Sequence, residues 1–113
     1  MNQLFSDFNR LNVLIIGDVM IDTYFNGRVD RISPEAPVPI VSVHHEEHRL
    51  GGAANVALNI KALEANPIIC SVIGNDEKGK TFMEICKREG IDTKGVIEAD
   101  HRVTTVKTRV IGN

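Results

Sequence analysis

The sequence predicts an α/β fold, and three observations carry that expectation. Residues 11–17 (LNVLIIG) and 67–73 (PIICSVI) are continuous apolar runs, the pattern of strands buried on both faces of a parallel sheet. Helix-spaced apolar residues follow the glycines at 51 and 52, and again follow Gly79. The resulting order of strand, helix, strand, helix, strand is that of a mainly parallel sheet with crossover helices.

Each element has a local reason. The first strand ends at Gly17, and Asp18 and Asp22 lie just beyond it, where open α/β sheets place their ligands. Residues 23–29 are mixed and extended. Pro34, Pro37 and Pro39 exclude a helix nearby, and a short strand is expected over 40–44. Residues 53–63 predict a helix buried on much of its circumference. Residues 74–78 read as a turn and 80–89 as an amphipathic helix, with Phe82, Met83, Ile85 and Cys86 toward the core and Gly90 as its stop. A short strand is predicted at 96–97 and an alternating one over 103–111. Gly112 and Asn113 are hairpin-turn residues, and with no return strand after them the chain reads as part of a larger protein.

Composition narrows the function. The chain has 113 residues, 42% hydrophobic, with scarce aromatics, so its core is aliphatic. Thirteen basic residues against fifteen acidic ones create no positive field for nucleic acid. No apolar run approaches the roughly 18–20 residues that span a bilayer, and the first ten residues lack the apolar stretch of a signal peptide. Cys70 and Cys86 have no CxxC spacing and read as reduced thiols of a cytoplasmic protein.

Several constellations could carry chemistry. Residues 74–81 (GNDEKGKT) match G-x-x-x-x-G-K-[ST] between a strand and a helix, so one reading is a P-loop nucleotide-binding module. Asp76 and Glu77 would set two negative charges beside a phosphate, and the other reading is a strand-to-helix turn capped by Asp76. Gly51, Gly52 and Asn55 form a small-residue loop at a helix start, suited either to a hydroxyl-rich ligand or to close helix packing. The run 44–48 (HHEEH) has no helical metal-site spacing. On a strand, 44, 46 and 48 share one face, and the run reads as a polar strand edge with no metal. Thr105, Lys107 and Arg109 also share a strand face, open to solvent or to a phosphate.

In order, these segments resemble the ribokinase-like (PfkB-type) carbohydrate kinases. The resemblance rests on residues 17–22 (GDVMID), 49–57 (RLGGAANVA) and 73–79 (IGNDEKG), the last similar to the family's G-x-D-x-x-G turn, which makes the P-loop match accidental. Residues 31–39 (RISPEAPVP) and 105–110 are similar to the heptose 7-phosphate kinases that feed ADP-heptose synthesis.

The resemblance implies the N-terminal part of a kinase domain: core strand 11–17, lid segment 23–49, core 51–100 and lid strand 103–111, a ribokinase-like α/β fragment with an inserted β-lid. It implies Asp22, Gly51, Gly52 and Asn55 as sugar contacts, with Asp18, Lys107 and Arg109 as further candidates. The reaction implied is transfer of the ATP γ-phosphate to D-glycero-D-manno-heptose 7-phosphate at its 1-hydroxyl. ATP and Mg would belong to the full-length parent, and neither is expected bound to these residues. The family's catalytic Asp has no counterpart here, so the chain alone is expected to be inactive. A homodimer through the β-lid is expected.

Overall fold

The structure is a computed structural model that describes residues 2–113. In chain order its elements are α1 (Asn2–Asp7), a 3-10 turn (Phe8–Arg10), β1 (Asn12–Ile16), β2 (Val19–Ile32), β3 (Pro39–Gly52), α2 (Ala53–Ala62), β4 (Asn66–Gly74), α3 (Glu77–Glu89), β5 (Asp92–Ala99) and β6 (Val106–Gly112). They make two three-stranded sheets, a parallel one ordered β1-β4-β5 and a mixed one ordered β3-β2-β6.

The parallel sheet advances in one direction, from β1 to β4 and on to β5, and crossovers of one hand then leave α2 and α3 on the same face. Ile15, Ile69 and Ile73 meet Ala54, Ala57, Phe82, Ile85 and Cys86 there, and all eight are buried. Phe82 is fully buried, which is worth about 1.5–3 kcal/mol of apolar transfer. The opposite face is bare: Leu14 is 59% exposed, Ile16 75% and Ile97 61%. This corrects the expectation that the first strand is buried on both faces. The sheet is parallel, but both of its helices lie on one side.

Helix α2 is also less enclosed than its apolar content suggested. Only Ala54 and Ala57 of α2 are buried, and Val56 faces solvent. Helix α3 starts at Glu77, earlier than the expected residue 80, because Asp76 is its N-cap and accepts the Gly79 N–H at 2.7 Å. It ends as expected, at Gly90 in the left-handed region (φ 69°), closed by Ile91 N–H to Cys86 O and Gly90 N–H to Lys87 O.

The mixed sheet stands off this core, and its long strands replace the shorter extended segments expected from the sequence. The antiparallel pair β2–β3 has register shifts at Asn26/Gly27 and Val29/Arg31. A Cβ at Gly27 would run into the Ser42 carbonyl, so the first irregularity needs glycine. The proline-marked turn between the strands is closed by Ser33 N–H to Val38 O at 2.8 Å. Strand β6 lies parallel to β2. Gly112 and Asn113 continue that pairing, with Asn113 N–H donating to Gly27 O, and so do not form the turn expected of them. Among the described residues no helix is long and apolar enough to cross a membrane.

Candidate functional site

Strand alternation gives the mixed sheet two faces with different tasks. Ile21, Thr23 and Leu50 point to the core and are buried. The opposite face carries Met20, Asp22 and Tyr24 from β2. Register places Gly51, Arg49 and Glu47 of β3 beside them, and Lys107 and Arg109 of β6 on the other side. Asp22, Gly51, Lys107 and Arg109 were candidates from the sequence, and the sheet brings these four together.

Asp22 is the centre of this face. Its side chain is only 16% exposed, and Oδ1 is buried and accepts no hydrogen bond from any described residue. Lys107 Nζ lies 2.9 Å from Oδ1, an ion pair by distance whose angle does not make a hydrogen bond, and Arg109 NH1 lies 3.9 Å away. Gly51 sits against the carboxylate so closely that a Cβ would come within 2.7 Å of Oδ2.

Beside this pair, Arg49 donates to both Glu47 carboxylate oxygens, at 2.8 and 2.9 Å. That bond holds the Glu47 carboxyl below its ordinary value and the Arg49 guanidinium above its own. Tyr24 lies between two guanidiniums, with Arg49 at 4.8 Å and Arg109 at 5.5 Å from its ring centroid, and Arg109 donates to its hydroxyl at 3.2 Å. Three cations and two carboxylates share the face, leaving one positive charge in excess. The Asp22 carboxylate has acceptor capacity beyond its ion pair with Lys107 and suits a hydroxyl, and the excess charge suits an anion.

Arg49, Tyr24 and Glu47 were missed as site residues. The signal for them was the two-residue period running back from Gly51 and on from Asp22, readable only once the pairing of Asp22 with Arg49 is known.

The other candidates lie apart. Gly52 has a positive φ of 61°, and a Cβ there would meet the Asp18 carbonyl at 2.5 Å, while Ala53 N–H donates to that carbonyl at 2.8 Å. Backbone geometry alone therefore requires this glycine. Asp18 borders a hollow at the carboxyl ends of the parallel strands, with Ser71, Ile97 and Arg102. Asn55 is exposed and borders a different hollow, with His48, Leu58, Ile85 and Arg88. The run 44–48 belongs to edge strand β3, where His48 bonds Glu46 (Nε2 to Oε1, 3.0 Å) and Thr23 (Nδ1 to Oγ1, 2.9 Å).

The loop over 74–81 is not built to cradle a phosphate. Asp76 Oδ1 takes the Gly79 N–H and the Thr104 hydroxyl, both at 2.7 Å, and Oδ2 takes the Thr104 N–H at 2.9 Å. The chain's own carboxylate occupies the helix start where a phosphate would bind. Lys80 points to solvent, 3.6 Å from Glu77. The nucleotide-binding alternative is set aside on this geometry.

One parallel sheet backed by two helices, with a second, mixed sheet standing off it, defines an α/β fold. The pfkB family carbohydrate kinase model matches residues 10–113, and the chain belongs to that family. It is 52% identical over 103 residues to D-beta-D-heptose 7-phosphate kinase of Bordetella bronchiseptica, covering 91% of this chain and 33% of that protein. It is 50% identical over 99 residues to Bifunctional protein HldE of Helicobacter pylori, covering 88% of this chain and 21% of that one. The chain thus spans a fifth to a third of the curated relatives it matches.

Among solved structures it resembles a fructokinase of Halothermothrix orenii (TM-score 0.63, 25% identity, 88% of this chain and 34% of that one). It also resembles a sugar kinase of Pyrococcus horikoshii in complex with ATP (TM-score 0.62, 26% identity, 88% of this chain and 30% of that one).

Proposed function

We propose that residues 1–113 supply the sugar-binding side and lid of a longer kinase that phosphorylates D-glycero-D-manno-heptose 7-phosphate at its 1-hydroxyl, in ADP-heptose synthesis for lipopolysaccharide. The observation that carries this reading is the nearly buried Asp22 carboxylate held beside Lys107 and Arg109. A carboxylate there accepts hydrogen bonds from sugar hydroxyls, and the two cations attract the sugar's phosphate. The high identity to a protein named heptose 7-phosphate kinase points to the same substrate. Gly51 gives the carboxylate room, while Asp18 and Asn55 border separate hollows and are not part of this face.

ATP is the phosphoryl donor in this reading, and Mg its usual companion. In this reading nucleotide, metal and catalytic base belong to the rest of the kinase domain, and residues 1–113 supply the sugar side alone. Val29, Val43 and Val110 share one face of the mixed sheet and are exposed, and pairing with a second lid in a cytoplasmic homodimer would cover them.

The deciding experiment titrates the full-length kinase with heptose 7-phosphate and with unphosphorylated heptose. The reading expects the phosphate to tighten binding, and Lys107→Met to remove that advantage without affecting ATP. Equal affinity for the two sugars would overturn it.

A further inference from the structure

The lid strand that carries Lys107 and Arg109 is not anchored to the core by its own backbone pairing. It pairs only with β2, inside the lid, and reaches there through residues 100–105, which form no strand or helix. Asn75 Nδ2 holds the start of that connection, donating to Asp100 Oδ1 at 2.9 Å, and Thr104 holds its end. Thr104 is 4% exposed and bonds in three directions. Its hydroxyl donates to Asp76 Oδ1 at 2.7 Å and accepts the Gly74 N–H at 2.9 Å, and its own N–H donates to Asp76 Oδ2 at 2.9 Å.

Asp76 in turn is held by Gly79 N–H at the start of α3. The fit leaves no slack: a Cβ at Gly79 would meet the Gly74 carbonyl, and one at Gly74 would come within 2.6 Å of Asp76 Oδ2. The next residue's carbonyl, Thr105 O, accepts the Ile21 N–H at 3.0 Å and opens the β2–β6 register. Two residues further on is Lys107, opposite Asp22.

We propose that Asp76 and Thr104 are positioning residues for the sugar site: together they fix where β6 enters the lid, and so place Lys107 and Arg109 against Asp22. This rests on the sugar-site reading above. It assigns Asp76 a task beyond capping α3, since one carboxylate serves the helix start with one bond and the lid strand with two. The hydroxyl of Thr104 is the part that reaches both Gly74 and Asp76, so removing it at constant shape is the informative change. Thr104→Val keeps the branched side chain and the backbone N–H bond to Asp76. Thr104→Ser keeps the hydroxyl.

The test has two arms. In the full-length kinase, Thr104→Val is expected to raise the KM for heptose 7-phosphate about tenfold, with kcat and the ATP KM within about twofold, while Thr104→Ser stays near wild type. Lys107→Met serves as the control for the sugar site. If Lys107→Met raises the sugar KM and Thr104→Val does not, the positioning role is overturned. If Lys107→Met has no effect, the sugar-site reading fails, and the second arm decides about β6 itself. That arm measures amide hydrogen exchange. Thr104→Val is expected to speed exchange in β6 while β4 keeps its protection. Unchanged exchange in β6 would overturn the anchor.

Discussion

Gly51 lies directly under the Asp22 carboxylate, and a methyl group added there would sit 2.7 Å from Oδ2 and 2.8 Å from Met20 Cγ. Met20 can swing aside, but Asp22 is held among Lys107, Arg109 and the sheet. Gly51→Ala is therefore expected to displace the carboxylate and raise the sugar KM of the full-length kinase by about tenfold or more. Circular dichroism should show the fold retained. An unchanged KM would mean that Asp22 does not need its present position.

Asp22→Asn tests the acceptor itself. The amide keeps the shape but replaces one acceptor with a donor and leaves Lys107 without its charge partner. Hydrogen bonds to a charged acceptor are worth about 1.5–3 kcal/mol each, so sugar affinity is expected to fall at least about tenfold. Separate calorimetric titrations with sugar and with ATP check this, and ATP affinity should barely move.

Lys80→Ala separates the P-loop spelling from its chemistry. Lys80 is a solvated side chain paired only with Glu77, so its loss is expected to leave the ATP KM within about threefold of wild type. A true P-loop lysine contacts the β- and γ-phosphates, and removing it would abolish turnover.

Asp76 predicts a pH dependence of stability. The Thr104 hydroxyl, the Thr104 N–H and the Gly79 N–H hold its carboxyl below the ordinary value of 3.8. The native state therefore favours the ionised form, and the stabilisation is complete above the ordinary value and lost as pH falls through the lowered one. Thermal melts of wild type and Asp76→Asn are expected to differ at neutral pH and to converge in acid below 3.8. Curves that stay parallel across that range would show that ionisation of Asp76 contributes nothing.

Burial pushes the Cys86 thiol up to about 11, so thiolate is scarce at pH 8. A native thiol titration at that pH is expected to find Cys70 alone, with Cys86 reacting only after unfolding. Rapid reaction of both in the native chain would show that the core around Phe82 opens readily.

Much of the fold was legible because local chemistry and packing agreed. Asp76 and Gly90 bracket α3 by capping rules that act within a few residues, and the apolar runs mark β1 and β4 correctly. What could not be read is what depends on pairing between distant segments. The bare face of the parallel sheet follows from strand order, which puts α2 and α3 on the same side of Ile15. The length of β2 and β3 follows from their mutual pairing through a polar stretch with no apolar alternation. Asp22 and Gly51 were visible as residues, whereas Arg49 and Tyr24 entered the site only through the register that sets Asp22 opposite Arg49. Thr104 gave no signal, since it fell inside the strand expected over 103–111, whereas that strand begins at Val106 and Thr104 bonds Asp76 instead.

The ring held between Arg49 and Arg109 has a practical consequence. The chain contains one Tyr and no Trp, so its intrinsic ultraviolet emission comes from Tyr24, at the candidate binding face. Any anion that draws either guanidinium away from that ring changes the surroundings of its only strong fluorophore. The molecule thus carries its own optical reporter, and a ligand seated on that face would register in Tyr24 emission without a label or an engineered probe.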